Sequence, residues 1–274
     1  IMNDMSKFSV QSDVDKMSKT IQDVIDISKS KGLMCWLNYG ALLGMIREER
    51  LLPWNNDAEL CCWYDEDASK KFKLIVDELN EAGYAAYYYS SIGALAVRSK
   101  GVIVNVNCIW LEGSNIVRPH ETASEPGYAP MISRAFYWIG TFLGAYPSGF
   151  IKCNDQNISS NIIIKSVLVT FFRILPVFIR KRLFISMIKI SEWFGGEYKK
   201  SAIPAKYFNE FKKIEFYGGE VLVPKSSKKL LECIYGKNWN IPKENWSFYN
   251  KKNEQDTGVV FLDEKWNYQS VDLL

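Results

Sequence analysis

Residues 36–60 read WLNYGALLGMIREERLLPWNNDAEL and decide the fold of this 274-residue chain. An apolar strand ends near Asn38, a sharp turn at Gly40 leads into a short helix, and a second strand carries Asp57 and Glu59. Carboxylates two residues apart on a strand face the same side of the sheet. Two acids aimed at one place repel unless a cation lies between them, so the spacing predicts a binding site.

The chemistry that suits this acidic pair is a hard divalent cation holding a diphosphate. Magnesium prefers oxygen ligands and usually shares its coordination with substrate phosphates. The turn at Gly40 allows backbone amides to approach a phosphate at a helix N-terminus. Simple solvation of Asp57 and Glu59 at the surface is the open alternative, and the turn at Pro53 with its neighbouring aromatic residues favours a site.

The patterns along the chain predict one α+β domain over residues 1–274, with a mixed sheet flanked by helices and a helical insertion at about 160–195. Apolar periodicity predicts helices at 12–30, 65–82 and 226–235. Strands are expected at 33–38, 58–64, 84–89, 93–99 and 102–110, and a hairpin around Gly218-Gly219. The proline-containing stretch 111–130 is interpreted as a long loop of the kind that forms lids or binding segments.

Composition and charge exclude several classes. Hydrophobic residues make up 47% and charged residues 24%, which is typical of a packed globular protein and not of a disordered one. The net charge of +3 is too small to indicate nucleic-acid binding, and His120 as the only histidine excludes a His-based zinc site. Six cysteines without paired spacing, and no visible signal peptide, favour reduced thiols in the cytoplasm.

Residues 161–190 are strongly apolar but interrupted by a proline, Pro176, and by basic residues. No run reaches the roughly 18–20 uncharged residues that span a bilayer, so two short helices broken near Pro176 are expected. Two interpretations stay open: internal packing with basic residues reaching solvent, or an interfacial helix pair on the inner, anionic face of the membrane. The basic residues are Lys165, Arg173, Arg180, Lys181, Arg182 and Lys189.

The motif in residues 36–60 resembles the signature of the LicD (fukutin and fukutin-related) family, Y-G-T-L-L-G-x-x-R followed by I-P-W-D-D-D-I-D. The stretch VLVPKSSKKLLECIYGKNWNIP (221–242) resembles the family's V-P…L-x-x-x-Y-G-x-x-W-x-x-P ending. The residues that match the signature are Tyr39, Gly40, Leu42, Leu43, Gly44, Arg47, Pro53, Trp54 and Asp57.

This resemblance implies a nucleotidyltransferase-like fold and metal-dependent transfer of a phospho-alcohol group, such as phosphocholine or ribitol phosphate. The donor would be a CDP-linked alcohol and the acceptor a cell-surface glycan or a lipid-linked glycan precursor. Mg²⁺ or Mn²⁺ would be the cofactor. By analogy the metal ligands are Asp57, Glu59 and Asn107; the catalytic residues are Asp57, Glu59 and Arg47; and the donor-binding residues are Tyr39, Gly40, Ala41, Arg47 and Asn107.

The sequence departs from the family pattern at the acidic positions. Asn55 and Asn56 replace two aspartates, Glu59 replaces the second metal aspartate, and Ala41 replaces a threonine. The strand that carries a third carboxylate in related folds offers Asn105 and Asn107. An alternative function is therefore a catalytically degenerate protein that binds nucleotide or glycan, or scaffolds a polysaccharide biosynthesis complex.

Overall fold

The structure is a computed structural model. It describes residues 11–53, 55, 57–89, 92–99, 101–121, 129–143, 145–147, 171, 174–243 and 257–265. Trp54, Asn56, the side chain of His120, most of the predicted insertion before residue 174, and residues 122–128 of the predicted loop lie outside the described part.

The described part of the chain contains both helices and strands, with four strands in succession between two helices, which confirms the predicted mixed α+β class. The helices are α1 (Gln11–Ser30), α2 (Tyr39–Glu48), α3 (Ala68–Glu81), α4 (Met131–Leu143), α5 (Val177–Trp193) and α6 (Ser227–Tyr235), with a 3₁₀ helix at Ala205–Phe208. The strands are β1 (Cys35–Leu37), β2 (Asp57–Trp63), β3 (Ala85–Tyr89), β4 (Ala94–Ser99), β5 (Val102–Glu112), β6 (Asn115–Glu121), β7 (Ala145–Pro147), β8 (Tyr198–Pro204), β9 (Phe211–Phe216), β10 (Gly219–Pro224) and β11 (Val260–Lys265).

Residue contacts divide the chain into two compact units. The first unit comprises residues 1–63, 97–117 and 202–260, and the second comprises 64–96, 118–201 and 261–274. Four strands, β4, β6, β8 and β11, have residues in both units. The prediction of a single domain stays a prediction.

The first unit is built on a mixed sheet in which β2 pairs antiparallel with β1 and parallel with β5. The central residues of β2, Leu60, Cys61 and Cys62, are fully buried. The alternation along β5 buries every second residue, from Val102 to Cys108, so the other residues of β5 occupy the opposite face. The strand pairing therefore fixes which side chains of β5 lie beside the acidic pair of β2.

An aromatic cluster closes one side of the first unit around Trp36 of β1. The Trp36 ring is fully buried and lies 5.5 Å from Trp63 and 4.7 Å from Phe211. Phe211 begins the hairpin of β9 and β10, whose turn at Gly218 confirms the predicted hairpin. Large aromatic side chains thus make the apolar contacts that hold the hairpin on the sheet.

The second unit contains α3, which packs on β3. The ring of Phe72 stacks on Tyr88 at 4.6 Å. The buried amide of Asn80 donates to the Ala86 carbonyl at 3.1 Å and accepts the Ala86 N–H at 3.0 Å. A side-chain amide that satisfies both groups of a strand residue fixes the helix against that strand.

The second unit also contains an antiparallel pair of helices, α4 and α5. The Ser133 hydroxyl donates to the Ser191 carbonyl at 2.9 Å, and the Ser191 hydroxyl donates to the Ser133 carbonyl at 2.8 Å. Gly140 allows the close approach, since a Cβ there would lie 3.3 Å from Met187 Cβ. Helix α5 begins directly after Pro176, as predicted, and no helix in the described ranges has the length and apolar character needed to span a bilayer.

One part of the sequence interpretation was wrong. The stretch 111–130 was expected to be a loop, but residues 115–121 form β6, which pairs with β5 through Glu112 and Asn115. Gly113 has a φ of 60° and permits a two-residue turn between the strands. Ile116 and Val117 are buried, and their apolar contacts stabilise a strand in a stretch whose prolines had favoured a loop.

Candidate active site

The site begins at the N-terminus of α2. Asn38 precedes the helix in an extended conformation but makes no side-chain cap. Its side-chain amide instead donates to Cys61 Sγ at 3.1 Å. The first N–H groups of a helix have no partner inside the helix, so the amides of Gly40 and Ala41 are suited to face an anion. Tyr39 has a φ of 45°, which produces the sharp turn from strand to helix.

A small cavity lies between this helix start and Asp57. Gly40 and Ala41 line it together with Asn55 and Asp57, and it has room for about one water molecule. A Cβ on Gly40 would lie 2.5 Å from Asn55 Nδ2. The absence of a side chain at Gly40 therefore allows the backbone to lie close to Asn55, while the predicted approach of a phosphate to this turn stays a prediction.

Asp57 is half-buried, and burial raises the pKa of its carboxyl. No basic side chain among the described residues forms an ion pair with it. A desolvated carboxylate without a counter-ion is unfavourable. The first residue of β2 thus carries a charge that a bound cation would stabilise.

Glu59 lies two residues further along β2, on the same face as Asp57. The parallel register places Asn105 opposite Glu59 and Asn107 opposite Cys61. Both asparagines are half-buried on that face. Of the two, Asn105 is the direct neighbour of the acidic pair, while the predicted ligand Asn107 lies two residues further along the strand.

Arg47 lies at the other end of α2, about 10 Å along the helix axis from Gly40. Its guanidinium donates to Glu48 Oε1 from Nε at 3.1 Å and from Nη2 at 2.7 Å, and Nη1 is 3.5 Å from the Trp239 carbonyl. Burial alone would raise the pKa of Glu48, but hydrogen bonds from Arg47 and Arg50 outweigh it and lower that pKa. In this conformation the Arg47 guanidinium is hydrogen-bonded to other residues of the protein. Its predicted contact with a phosphate stays a prediction.

Tyr235, the last residue of α6, is a site residue that the sequence interpretation did not select. Burial raises the pKa of its phenol well above the usual range, and the nearby charges of Glu59 and Asp57 and the phenol of Tyr39 add to that rise. Arg47 acts in the opposite direction. The signal was present in the sequence, because Tyr235 is the tyrosine of the Y-G pair in the C-terminal motif.

The donor set fits a magnesium-type cation. Asp57 and Glu59 supply two carboxylates, and Asn105 supplies a neutral amide oxygen beside them. No group of three or more His, Cys, Asp or Glu side chains in the described part could hold a metal. Magnesium usually takes one or two protein carboxylates and completes its shell with water and substrate phosphates, so the set fits an ion that arrives with a diphosphate.

The family model described as LicD/FKTN/FKRP, nucleotidyltransferase domain, matches residues 32–100, about a quarter of the chain. The match confirms the resemblance to the LicD family and includes the helix start, most residues that line the cavity, and the acidic pair. A nucleotidyltransferase domain supports a transferase function of the nucleotidyl or phospho-alcohol kind.

Solved structures of one other protein are also similar to this chain. A solution structure of the antibiotic-resistance factor ANT(2'')-Ia matches with a TM-score of 0.31 and 9% identity, over 66% of this chain and 93% of that one. A crystal structure of ANT(2'')-Ia in complex with adenylyl-2''-tobramycin matches with a TM-score of 0.28 and 12% identity, over 63% and 97%. Both TM-scores are too low to support a conclusion about this chain. No curated protein gives a significant match.

Proposed function

We propose that the protein transfers a phospho-alcohol group from a CDP-linked alcohol to a hydroxyl of a glycan or of a lipid-linked glycan precursor. The observation that carries the proposal is that the start of α2, at Gly40 and Ala41, and the half-buried carboxylate of Asp57, which has no basic partner among the described residues, meet at one small cavity. Glu59 follows on the same strand face. An anionic diphosphate accompanied by a cation complements both features.

In the reaction, the glycan hydroxyl oxygen forms a bond to the phosphorus that bears the alcohol. The bond from that phosphorus to the CMP oxygen breaks, CMP leaves, and the hydroxyl proton is lost to solvent. The N–H groups of Gly40 and Ala41 orient the donor phosphates, and Asp57 and Glu59 would hold Mg²⁺ or Mn²⁺. When bound, such an ion neutralises charge on the diphosphate. Most of the rate acceleration would come from positioning and charge neutralisation.

Measurement of CMP release from a panel of CDP-alcohols tests the proposal. Asp57→Asn should abolish the release that the wild type gives with its accepted donor, since one of two anionic ligands is removed. Glu215→Gln removes an acid on the exposed face of β9 and is the matched control. Full turnover by the Asp57 variant would contradict the assignment.

The alternative is a protein that binds nucleotide or glycan without turnover, or scaffolds a biosynthetic complex. The amides of Asn105 and Asn107 favour it, because they stand on β5 where a third carboxylate would be expected. Thermal-shift measurements with CTP and CDP-alcohols, with and without Mg²⁺ or Mn²⁺, separate the two functions. Metal-dependent stabilisation followed by CMP release supports the transferase. Stabilisation that is indifferent to metal, without release, supports the alternative.

A further inference from the structure

The outward-facing side of α5, in the α4–α5 helix pair, carries an unusual mixture of exposed side chains. Packing between the two helices buries one stripe of α5, formed by Arg180, Phe184, Ile188 and Ser191. A helix that packs on one side is expected to be polar on the other. On the outer side of α5, large apolar side chains are exposed together with the polar ones.

Large apolar side chains are exposed on both helices. Met131 of α4 is 83% exposed, Trp193 at the end of α5 is 82% exposed, and Phe178 at its start is 65% exposed. The other exposed apolar residues of the pair are Ile132, Trp138, Ile139, Val177 and Leu183. Single exposed apolar residues are normal, but Phe178 and Trp193 are 15 residues apart and so share the side of α5 that lies opposite its buried stripe.

Basic side chains lie among these apolar residues. Arg182 and Lys189 of α5 are exposed on the side opposite the buried stripe, and Lys181 is half-buried at the edge of that stripe, from which its long side chain can reach solvent. Glu192 is the only acidic residue of α5, and α4 has none. No ion pair involving these three basic residues occurs within the described part of the chain. The outer surface therefore combines exposed aromatic and aliphatic groups with uncompensated positive charge.

We propose that this surface docks on an anionic lipid bilayer, with α5 lying in the plane of the interface. Helix α5 is about 25 Å long, and its charges prevent it from crossing the hydrocarbon core. Phe178 and Trp193, one at each end, would insert at the headgroup level, where tryptophan is favourable. The three basic residues between them would contact anionic headgroups. A second copy of the chain is a poorer occupant, because two such surfaces would bring like charges together.

The structure also changes which basic residues can take part. The sequence suggested that the whole Arg180-Lys181-Arg182 run could contact headgroups, but Arg180 is buried in the helix pair. Lys189, two turns further along α5, is exposed. The lipid-facing set is therefore Lys181, Arg182 and Lys189.

Co-sedimentation with phosphatidylcholine vesicles, with and without about one-third phosphatidylglycerol, tests the inference at low salt. The wild type should bind only the anionic vesicles and should be released by high salt. Lys181→Glu/Arg182→Glu/Lys189→Glu should lower partitioning at least about 100-fold, since each basic residue near an anionic surface contributes a factor of roughly five. Phe178→Ser/Trp193→Ser should also weaken binding while keeping the melting temperature.

The matched control is Lys212→Glu/Lys228→Glu/Lys229→Glu, which makes the same charge change at exposed lysines of the first unit. It should bind vesicles like the wild type. Equal loss in both triple variants, or no binding by the wild type, would overturn the inference. A wild-type dimer in light scattering that Phe178→Ser/Trp193→Ser dissociates would also overturn it. None of these readouts depends on the proposed transferase activity.

Discussion

Two glycines of α2 should respond differently to the same substitution. At Gly44, an added Cβ would lie 2.5 Å from the Arg50 carbonyl oxygen and 3.1 Å from Leu52 N. At Gly40, it would lie 2.5 Å from Asn55 Nδ2, the far end of a side chain. Backbone cannot rotate away from a clash, whereas a side chain can adopt another rotamer. Gly44→Ala should therefore destabilise the protein, and Gly40→Ala should leave stability nearly unchanged.

The magnitudes follow from competing effects. Replacing Gly by Ala inside a helix stabilises by up to about 1 kcal/mol, while overpacking typically costs about 1–3 kcal/mol. With backbone as the obstacle at Gly44, we take the upper end and expect a net loss of about 2 kcal/mol. This corresponds to a fall in melting temperature of about 4–8 °C for a chain of this size. At Gly40 the cost of moving Asn55, roughly 0.5–1.5 kcal/mol, is offset by the helix gain.

Urea denaturation followed by circular dichroism, with the slope checked for constancy, measures both changes. In a double-mutant cycle, Gly40→Ala in the Asn55→Ala background should be neutral or stabilising, because the crowded atom is gone. Gly40→Ala should also weaken nucleotide-induced stabilisation, since the displaced Asn55 disturbs the cavity. A Gly44 variant as stable as the wild type, or a Gly40 variant that loses as much as the Gly44 variant, would refute this reasoning.

Three further outcomes are expected. Without metal, Asp57→Asn should raise the free energy of unfolding at neutral pH, because burial penalises the carboxylate and raises its pKa in the folded state. This gain in stability should shrink as the pH falls through the pKa of the folded state. It should disappear below about pH 4, where Asp57 is also protonated in the unfolded chain. Arg47→Lys should cost about 2 kcal/mol in urea denaturation, because lysine cannot reproduce the two hydrogen bonds to Glu48. Ser133→Ala and Ser191→Ala should each lower the melting temperature, and the double variant should lose less than the sum, since both remove one shared set of hydrogen bonds.

Local patterns in the sequence predicted the elements that depend on nearby residues. The apolar stripes predicted α1, α3 and α6 to within a few residues of their observed ends. The period of two along β2 placed Asp57 and Glu59 on one face, and the Gly40 turn predicted the helix start beside them. Helix α4 and strand β8 were missed. Their contacts come from distant parts of the chain, as with Ser133 and Ser191, which are 58 residues apart.

In the candidate site, too, nearby residues set some features and contacts between distant residues set others. The sequence by itself determined the motif, the two carboxylates and the glycine turn, because each is set by spacing within one element and its flanking turn. Only the tertiary structure decided that Asn105 lies opposite Glu59, since the register of two parallel strands more than 40 residues apart depends on packing and not on spacing. Packing also determined the hydrogen bond from Arg47 to Glu48. It brought the phenol of Tyr235, more than 170 residues further along the chain, close enough for the charges of the acidic pair to raise its pKa.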